Sequence, residues 1–337
     1  MRQIFTRRDF LATSALLPAA SALGQTVDTV PIRVALVSPK PGDDYYNACR
    51  LGALEAAAEV NGVQLTYTAP ATADPTLLAE LVGRLVDERM DALVVAPPAS
   101  DLVIAACARA VQAGLKVISI DRPLPPDVRQ LHLAPPAIAE MSPQLVSILS
   151  LALGGKGDVA LLSSAPDEGS HIAFATNLRR ELLKGEYSEL ALVTTVFGQE
   201  RLQDSYAEAL AIIQAYPDLR GILAPSHAGL AGAARAVMDL GRSNTVKVTG
   251  VGLPSRLVTA VQAGVVPGFL TWSPVDVGYA AIRIAIALVQ NEVVIQAGTP
   301  VRAGRLGQLA VNDNNEAAVG ELITVDATNI DKFAEMF

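Results

Sequence analysis

Basic clusters are missing from this sequence: the formal net charge is -8, and the lysines and arginines are dispersed. That balance argues against nucleic acid or an anionic membrane surface as a partner. Cysteine is reduced to Cys49 and Cys107, which show no metal-ligand spacing. Both fall in helical patterns and read as separate small core residues, with a disulfide in an oxidising compartment as the alternative. The three histidines, His132, His171 and His227, also lack the spacing of a metal site. No Gly-x-Gly-x-x-Gly follows the first apolar strand. The residues after Val37 are Ser38-Pro39-Lys40-Pro41-Gly42, so no dinucleotide site is expected. There is no Gly-x-Ser-x-Gly elbow. Gly154-Gly155-Lys156-Gly157 precedes a strand and reads as a turn. Asn312-Asp313-Asn314-Asn315 lacks the glycine and terminal glutamate of a calcium loop and also reads as a turn. Nothing demands catalysis, and no cofactor or metal is expected.

Aromatic residues make up only 4% of the chain, whereas Ala, Val and Leu abound. This is the composition of helices packed on parallel strands. The 337 residues are 51% hydrophobic and 18% charged, enough for two folded domains. At the N-terminus, Thr6-Arg7-Arg8-Asp9-Phe10-Leu11 has the spacing of a twin-arginine export signal. An apolar run from Leu11 to Leu23 follows, with Ala20-Ser21-Ala22 supplying small residues for cleavage. The run is too short to span a bilayer. Residues 1–24 are therefore expected to be a twin-arginine signal peptide and the mature protein to be soluble in the periplasm.

From Ile32 onward, strand and helix patterns alternate. Strands are expected at Ile32–Val37, Val63–Thr68, Ala92–Ala96, Lys116–Ile120 and Leu131–Leu133, with helices between the first four. After a helix at Ile138–Leu153 the alternation restarts, with strands at Val159–Ser163, Leu190–Val196, Gly221–Ala224 and Val246–Val251. Their intervening helices include Ser170–Lys184 and Glu200–Tyr216. Gly268–Trp272 reads as a further strand and Val275–Asn291 as a strong helix. The fold class is α/β: two doubly wound parallel-sheet lobes in series. The less regular tail from Gly298 must cover surface or cross between lobes.

Ligands of such sheets bind outside the carboxyl ends of the strands. The stretch Val117-Ile118-Ser119-Ile120-Asp121-Arg122-Pro123 ends a buried strand on an acceptor-rich carboxylate and a five-donor guanidinium, which suits a hydroxylated molecule. The other post-strand loops contribute Lys40, Asp43, Tyr45 and Tyr46 from the first lobe. The second lobe contributes Glu168, Ser170 and His171, then Pro225 and His227, and the crossing strand contributes Trp272. Each has a structural alternative. Asp43 and Ser170 suit helix N-caps, the tyrosines suit half-buried packing, and Trp272 suits core. Together at one rim they offer polar partners for hydroxyls and aromatic faces for a sugar ring.

With its paired aromatics opening the first helix and its Ile-Asp-Arg after strand four, the chain resembles the ribose-type periplasmic sugar-binding proteins of ABC importers, type I periplasmic binding proteins. Three segments are similar to the subfamily of rhamnose-binding and autoinducer-2-binding proteins: Tyr67–Asp74, Tyr216–Pro225 and Trp272–Tyr279. Asn329-Ile330-Asp331-Lys332-Phe333 is similar too. The resemblance implies a multi-strand hinge between a lobe of residues 30–134 plus about 273–297 and a lobe of 135–270 plus part of 298–337. It also implies a monosaccharide or polyol ligand clasped by hinge closure, an ABC permease in the inner membrane as partner, a monomer, and no enzymatic activity. Lys40, Asp121 and Pro225 match autoinducer-2-binder positions, whereas Gly169-Ser170 stand where those proteins have Asp-Gln, and His227 where they have Ala. Gly252 stands where ribose binders have an Asp. The same closed lobes would equally serve a periplasmic sensor, autoinducer-2 type included, that presents its ligand to a chemoreceptor or sensor kinase.

Overall fold

The computed structural model describes residues 30–136, 138–164 and 169–336. The expected signal segment, residues 1–24, lies outside them. From Pro31 to the C-terminus the chain is one compact unit.

The first half runs β1 (Ile32–Val37), α1 (Asp44–Ala58), β2 (Val63–Thr68), α2 (Pro75–Asp87), β3 (Ala92–Val95), α3 (Asp101–Gln112), β4 (Lys116–Ile120) and β5 (Leu131–Ala134). It continues with α4 (Ile138–Leu153), β6 (Gly157–Ser163), α5 (Gly169–Leu182), β7 (Leu190–Phe197), α6 (Leu202–Ala215), β8 (Leu219–Ala224) and α7 (His227–Asp239). Then come β9 (Lys247–Gly250), α8 (Val258–Gln262), β10 (Phe269–Thr271) and α9 (Pro274–Val289). The tail holds β11 (Val301–Arg302), β12 (Gln308–Leu309), β13 (Glu316–Ala318), β14 (Ile323–Val325) and α10 (Ile330–Ala334).

Two sheets result. The first is wholly parallel, in the order β13-β5-β4-β3-β1-β2, and the second has the order β7-β6-β8-β9. A parallel bridge from Val251 to Leu270 carries the second sheet on to β10, which pairs antiparallel with β14. Because both faces of each sheet are covered, alternate residues of a strand enter different cores. Val34 and Leu36 meet α1 and α9, while Ala35 and Val37 meet α2 and α3 through Leu78, Val82 and Val103. In the second lobe, Val159 and Leu161 face α4 and α5, and Ala160 and Leu162 face α6 and α7. This double coverage explains why the strands read as continuous apolar runs.

Helix starts follow their capping chemistry. Asp74 accepts from Thr76 N at 2.7 Å ahead of Pro75 at the first position of α2. Leu78, Leu81, Val82 and Leu85 form the buried stripe of that helix. The helix expected at Glu200–Tyr216 begins only at Leu202, because Gln199 and Glu200 adopt φ of 53° and 51°. That left-handed conformation takes them out of the helix. The helix expected after Val251 divides into a 3-10 turn, Pro254–Arg256, and α8.

The chain passes between the sheets three times: between β5 and α4, between β10 and α9, and between β13 and β14. The crossing tail therefore does both of the things expected of it. Its β11–β12 hairpin covers surface, while β13 completes the first sheet and β14 extends the second. Cys49 and Cys107 are both free and buried. No helix among the described residues is long and apolar enough to cross a membrane.

Candidate functional site

In the first sheet, β1 lies between β2 and β3, so the strand order reverses at β1. In such sheets the crevice outside the carboxyl ends at the reversal is the usual ligand position. Here β1 delivers Lys40 and Asp43, and β4 delivers Asp121. The second lobe presents the ends of β6, β7 and β8.

Asp43 is the N-cap of α1, accepting from Tyr45 N at 2.9 Å and Tyr46 N at 3.3 Å through Oδ1. Its Oδ2 meets Lys40 Nζ at 3.0 Å. The capping alternative for Asp43 is therefore correct, and the cap also orients both tyrosines. Lys40 is held further by Ser38, whose hydroxyl donates to the Lys40 carbonyl at 2.6 Å. Tyr46 Oη donates to Asp121 Oδ2 at 2.6 Å. Burial, and then the negative charge of Asp121, pushes the Tyr46 phenol well above its usual range, so it stays a donor. Tyr45 is also pushed well up, first by burial and next by Cys49. Asp121 itself has φ 68° and keeps an exposed side. A left-handed Asp at a strand end turns its carboxylate out of the sheet, and Asp tolerates that conformation better than most residues.

Across the cleft, Ser226 caps α7 by accepting from Gly229 N at 3.0 Å, which sets His227 at the first helical position. The His227 ring lies 5.5 Å from the Tyr45 ring and 5.6 Å from the Trp272 ring. Trp272 Nε1 donates to Tyr45 Oη at 3.1 Å, leaving the Tyr45 proton free to be donated elsewhere. Trp272 is 8% exposed, so it is at once core and wall. Burial is the main influence lowering the His227 pKa, assisted by Lys40 and opposed by Asp121 and Asp43. A neutral ring follows. Pro225 is buried immediately ahead of this cap.

Lys40, Asp43, Tyr45, Tyr46, Asp121, His227 and Trp272 are thus brought together. Arg122 lines a neighbouring groove of about 720 Å³ with Ser100, Asp101, Arg129 and Glu316. That groove is lined by first-lobe residues alone, so the two-lobed aromatic cluster is the better ligand position. Glu168 lies outside the described residues. Ser170 and His171 are placed only as the opening residues of α5.

Sequence reasoning missed Glu200. Ser164, at the end of β6, hydrogen-bonds its carboxylate. The Glu200 residue is exposed overall, yet its carboxyl group turns inward. Burial raises its pKa most, Asp121 and Asp43 raise it too, and Ser164 and Lys40 oppose them. The expected helix start at Glu200 concealed the post-strand loop. A survey of every loop after a strand, β7 included, would have found it.

Residues 34–292 match the periplasmic binding protein domain. The chain belongs to the periplasmic binding protein family. Its expected fold class is correct: the solute-binding protein from Clostridium phytofermentas with bound L-rhamnose superposes with a TM-score of 0.81 at 22% identity, over 91% of this chain and 99% of that one. LsrB from Clostridium saccharobutylicum in complex with AI-2 also gives 0.81, at 15% identity over 90% and 99% of the two chains. Among curated proteins, the D-ribose/D-allose-binding protein of Pseudomonas aeruginosa is 22% identical over 74% of this chain and 81% of its own length. One periplasmic binding protein scaffold therefore accompanies several different ligands, and the choice among them rests on cleft side chains.

Proposed function

We propose that this chain is the exported solute-binding component of a carbohydrate ABC importer, holding a monosaccharide or related polyol, rhamnose-like or another sugar, between its lobes. It acts as a monomer, does no chemistry, and hands the ligand to a permease in the inner membrane after export through the twin-arginine route. Its lobes are residues 30–134 with about 273–297, and 135–270 with part of 298–337. One observation carries the reading. The Asp121 carboxylate, held by Tyr46 at 2.6 Å, lies in the same cleft as the neutral His227 ring, which packs at a tilt against Tyr45 and Trp272. Hydrogen-bond acceptors beside apolar ring faces suit the two kinds of surface on a pyranose or furanose. Tyr45 and Asp121 come from the first lobe and His227 from the second, so a ligand touching all three stabilises the closed form.

The test is a thermal-shift screen of neutral aldoses, ketoses, deoxyhexoses and polyols, followed by calorimetry. A true ligand raises the melting temperature by mass action. Asp121→Asn keeps the size of the side chain and tolerates the left-handed backbone. Loss of a charged hydrogen-bond partner costs about 1.5–3 kcal/mol, roughly a ten- to hundredfold drop in affinity, with ligand-free stability nearly unchanged. Unaltered affinity in that variant would remove Asp121 from the site.

A further inference from the structure

The cleft contains an acidic group whose role the sugar-cleft reading leaves unassigned, and the following inference rests on that reading. Glu200 stands in the loop between β7 and α6, where the backbone is tied to the end of β6. Gly198 N donates to Ser163 O at 2.9 Å, and Gln199 N donates to Ser164 O at 2.7 Å. Ser164 also holds the Glu200 carboxylate directly. Gln199 and Glu200 are consecutive non-glycine residues with positive φ. The other such residues among those described are Arg89, Asp121, Asn291 and Asn315. Arg89 and Asn291 end α2 and α9, and Asn315 sits in the turn before β13, where the left-handed conformation is ordinary. Asp121 and the Gln199-Glu200 pair are instead at strand ends on the rim, one in each lobe. Strain of this kind persists where surrounding bonds enforce it, and it concentrates at ligand sites.

The charges that reach Glu200 are those of the cleft: Asp121 and Asp43 repel its carboxylate, and Lys40 attracts it. Lys40 is already engaged with Asp43 at 3.0 Å. Two buried polar atoms of the second lobe, Ser163 Oγ and His227 Nδ1, have no hydrogen-bond partner among the described residues. Ser163 is 2% exposed and adjoins the serine that holds Glu200, while the His227 ring contacts Tyr45 and Trp272 within the cleft. Leaving such atoms unpaired in a folded protein is costly, and ligand hydroxyls would pair them.

We propose that Glu200 is a further second-lobe ligand residue beside His227, and that it works with Asp121 as an acidic clamp that accepts a neutral polyhydroxylated ligand and rejects sugar acids. A carboxylate only accepts hydrogen bonds, and it has acceptor positions beyond those that Tyr46 takes on Asp121 and Ser164 takes on Glu200, so each can take a further donor from the ligand. A hydroxyl meets that requirement from either lobe. A ligand carboxylate offers no proton and is repelled from both sides, with Lys40 already paired. Discrimination here is built from an unfavourable contact as much as a favourable one.

The experiment is calorimetry at pH 8 on the wild-type chain and two variants, with L-rhamnose, D-ribose, D-allose, D-arabinose and D-tagatose as neutral probes and D-gluconate and D-galacturonate as acids. Glu200→Gln removes the charge at constant size, and Glu200→Asn removes it with a residue that suits the left-handed backbone. Thermal melting of each variant without ligand verifies folding. In wild type, at least one neutral sugar binds and the acids bind at least a hundredfold more weakly. In both variants the neutral sugar weakens tenfold or more, and its margin over the acids shrinks. If a neutral sugar binds wild type and the folded variants equally, with the acid margin unchanged, the Glu200 proposal falls and the sugar-cleft reading stands. If the acids bind wild type as well as the neutral sugars do, the clamp is likewise wrong. If no neutral sugar binds wild type, the sugar-cleft reading falls and takes the clamp with it.

Discussion

His132 shows at the level of one residue how burial turns into a pH dependence. It sits in β5, 3% exposed, with Nδ1 3.1 Å from the Ser119 carbonyl and 3.0 Å from the Ser119 hydroxyl. A carbonyl only accepts, so Nδ1 carries the proton and the ring is neutral. Burial, and then the positive charge of Arg129, lowers its pKa to about 4, with Glu316 opposing. Between about pH 6.5 and 4 the unfolded chain takes up a proton that the folded chain does not. The stabilisation is therefore complete above about pH 6.5 and is lost as pH falls towards 4. Between pH 7 and 5 this amounts to about 2 kcal/mol. Urea unfolding at the two pH values should show a lower midpoint at pH 5, and His132→Asn should flatten the difference. An equal drop in that variant would place the titrating group elsewhere. The sequence marked His132 only as a histidine without metal spacing, because its partners Ser119 and Arg129 reach it through strand pairing and a loop.

At the level of elements, α1 carries the cleft tyrosines, and its position depends on contact with α9. Gly52 of α1 packs on the backbone at Val275, and Gly278 of α9 packs on the Cys49 carbonyl, so that a Cβ at either site would collide with main-chain atoms. Gly83 in α2 differs, its nearest foreign atom being the Arg109 guanidinium at 3.9 Å. One substitution should accordingly act in opposite directions. Gly83→Ala gains helix propensity of about 1 kcal/mol and raises the unfolding midpoint. Gly278→Ala meets overpacking of about 1–3 kcal/mol or more, which outweighs the same gain and displaces α1, lowering both the midpoint and ligand affinity. Midpoints that move together would refute this account. The helices themselves were legible from capping residues and apolar spacing, as Asp74-Pro75 and the Leu78–Leu85 stripe show. Their mutual approach was not, because a glycine in a helical pattern does not name the backbone it will touch.

For the whole molecule, the question is what holds the lobes together. Arg256, after β9, forms an ion pair with Asp44 at the start of α1, and their side chains are 63% and 41% exposed. So exposed a pair contributes about 0–1 kcal/mol. Arg256→Ala should leave the unfolding free energy within about 1 kcal/mol of wild type. The lobes should still open more readily without ligand, so small-angle scattering should give a larger ligand-free radius of gyration and the same ligand-bound one. An unchanged ligand-free radius would show that the Tyr45, His227 and Trp272 contacts suffice. The alternating strands and helices, the rim positions of Lys40, Asp121, Pro225 and His227, and the paired aromatics were determined by the sequence, because local periodicity and strand-end chemistry are written in neighbouring residues. Tertiary structure decided that β13 completes the first sheet, that Arg122 lines a groove with Arg129 and Glu316, and that Glu200 leaves its helix to enter the cleft. Each of these depends on partners distant in the chain, whose hydrogen bonds and contacts exist only once the strands that carry them have come together in a sheet.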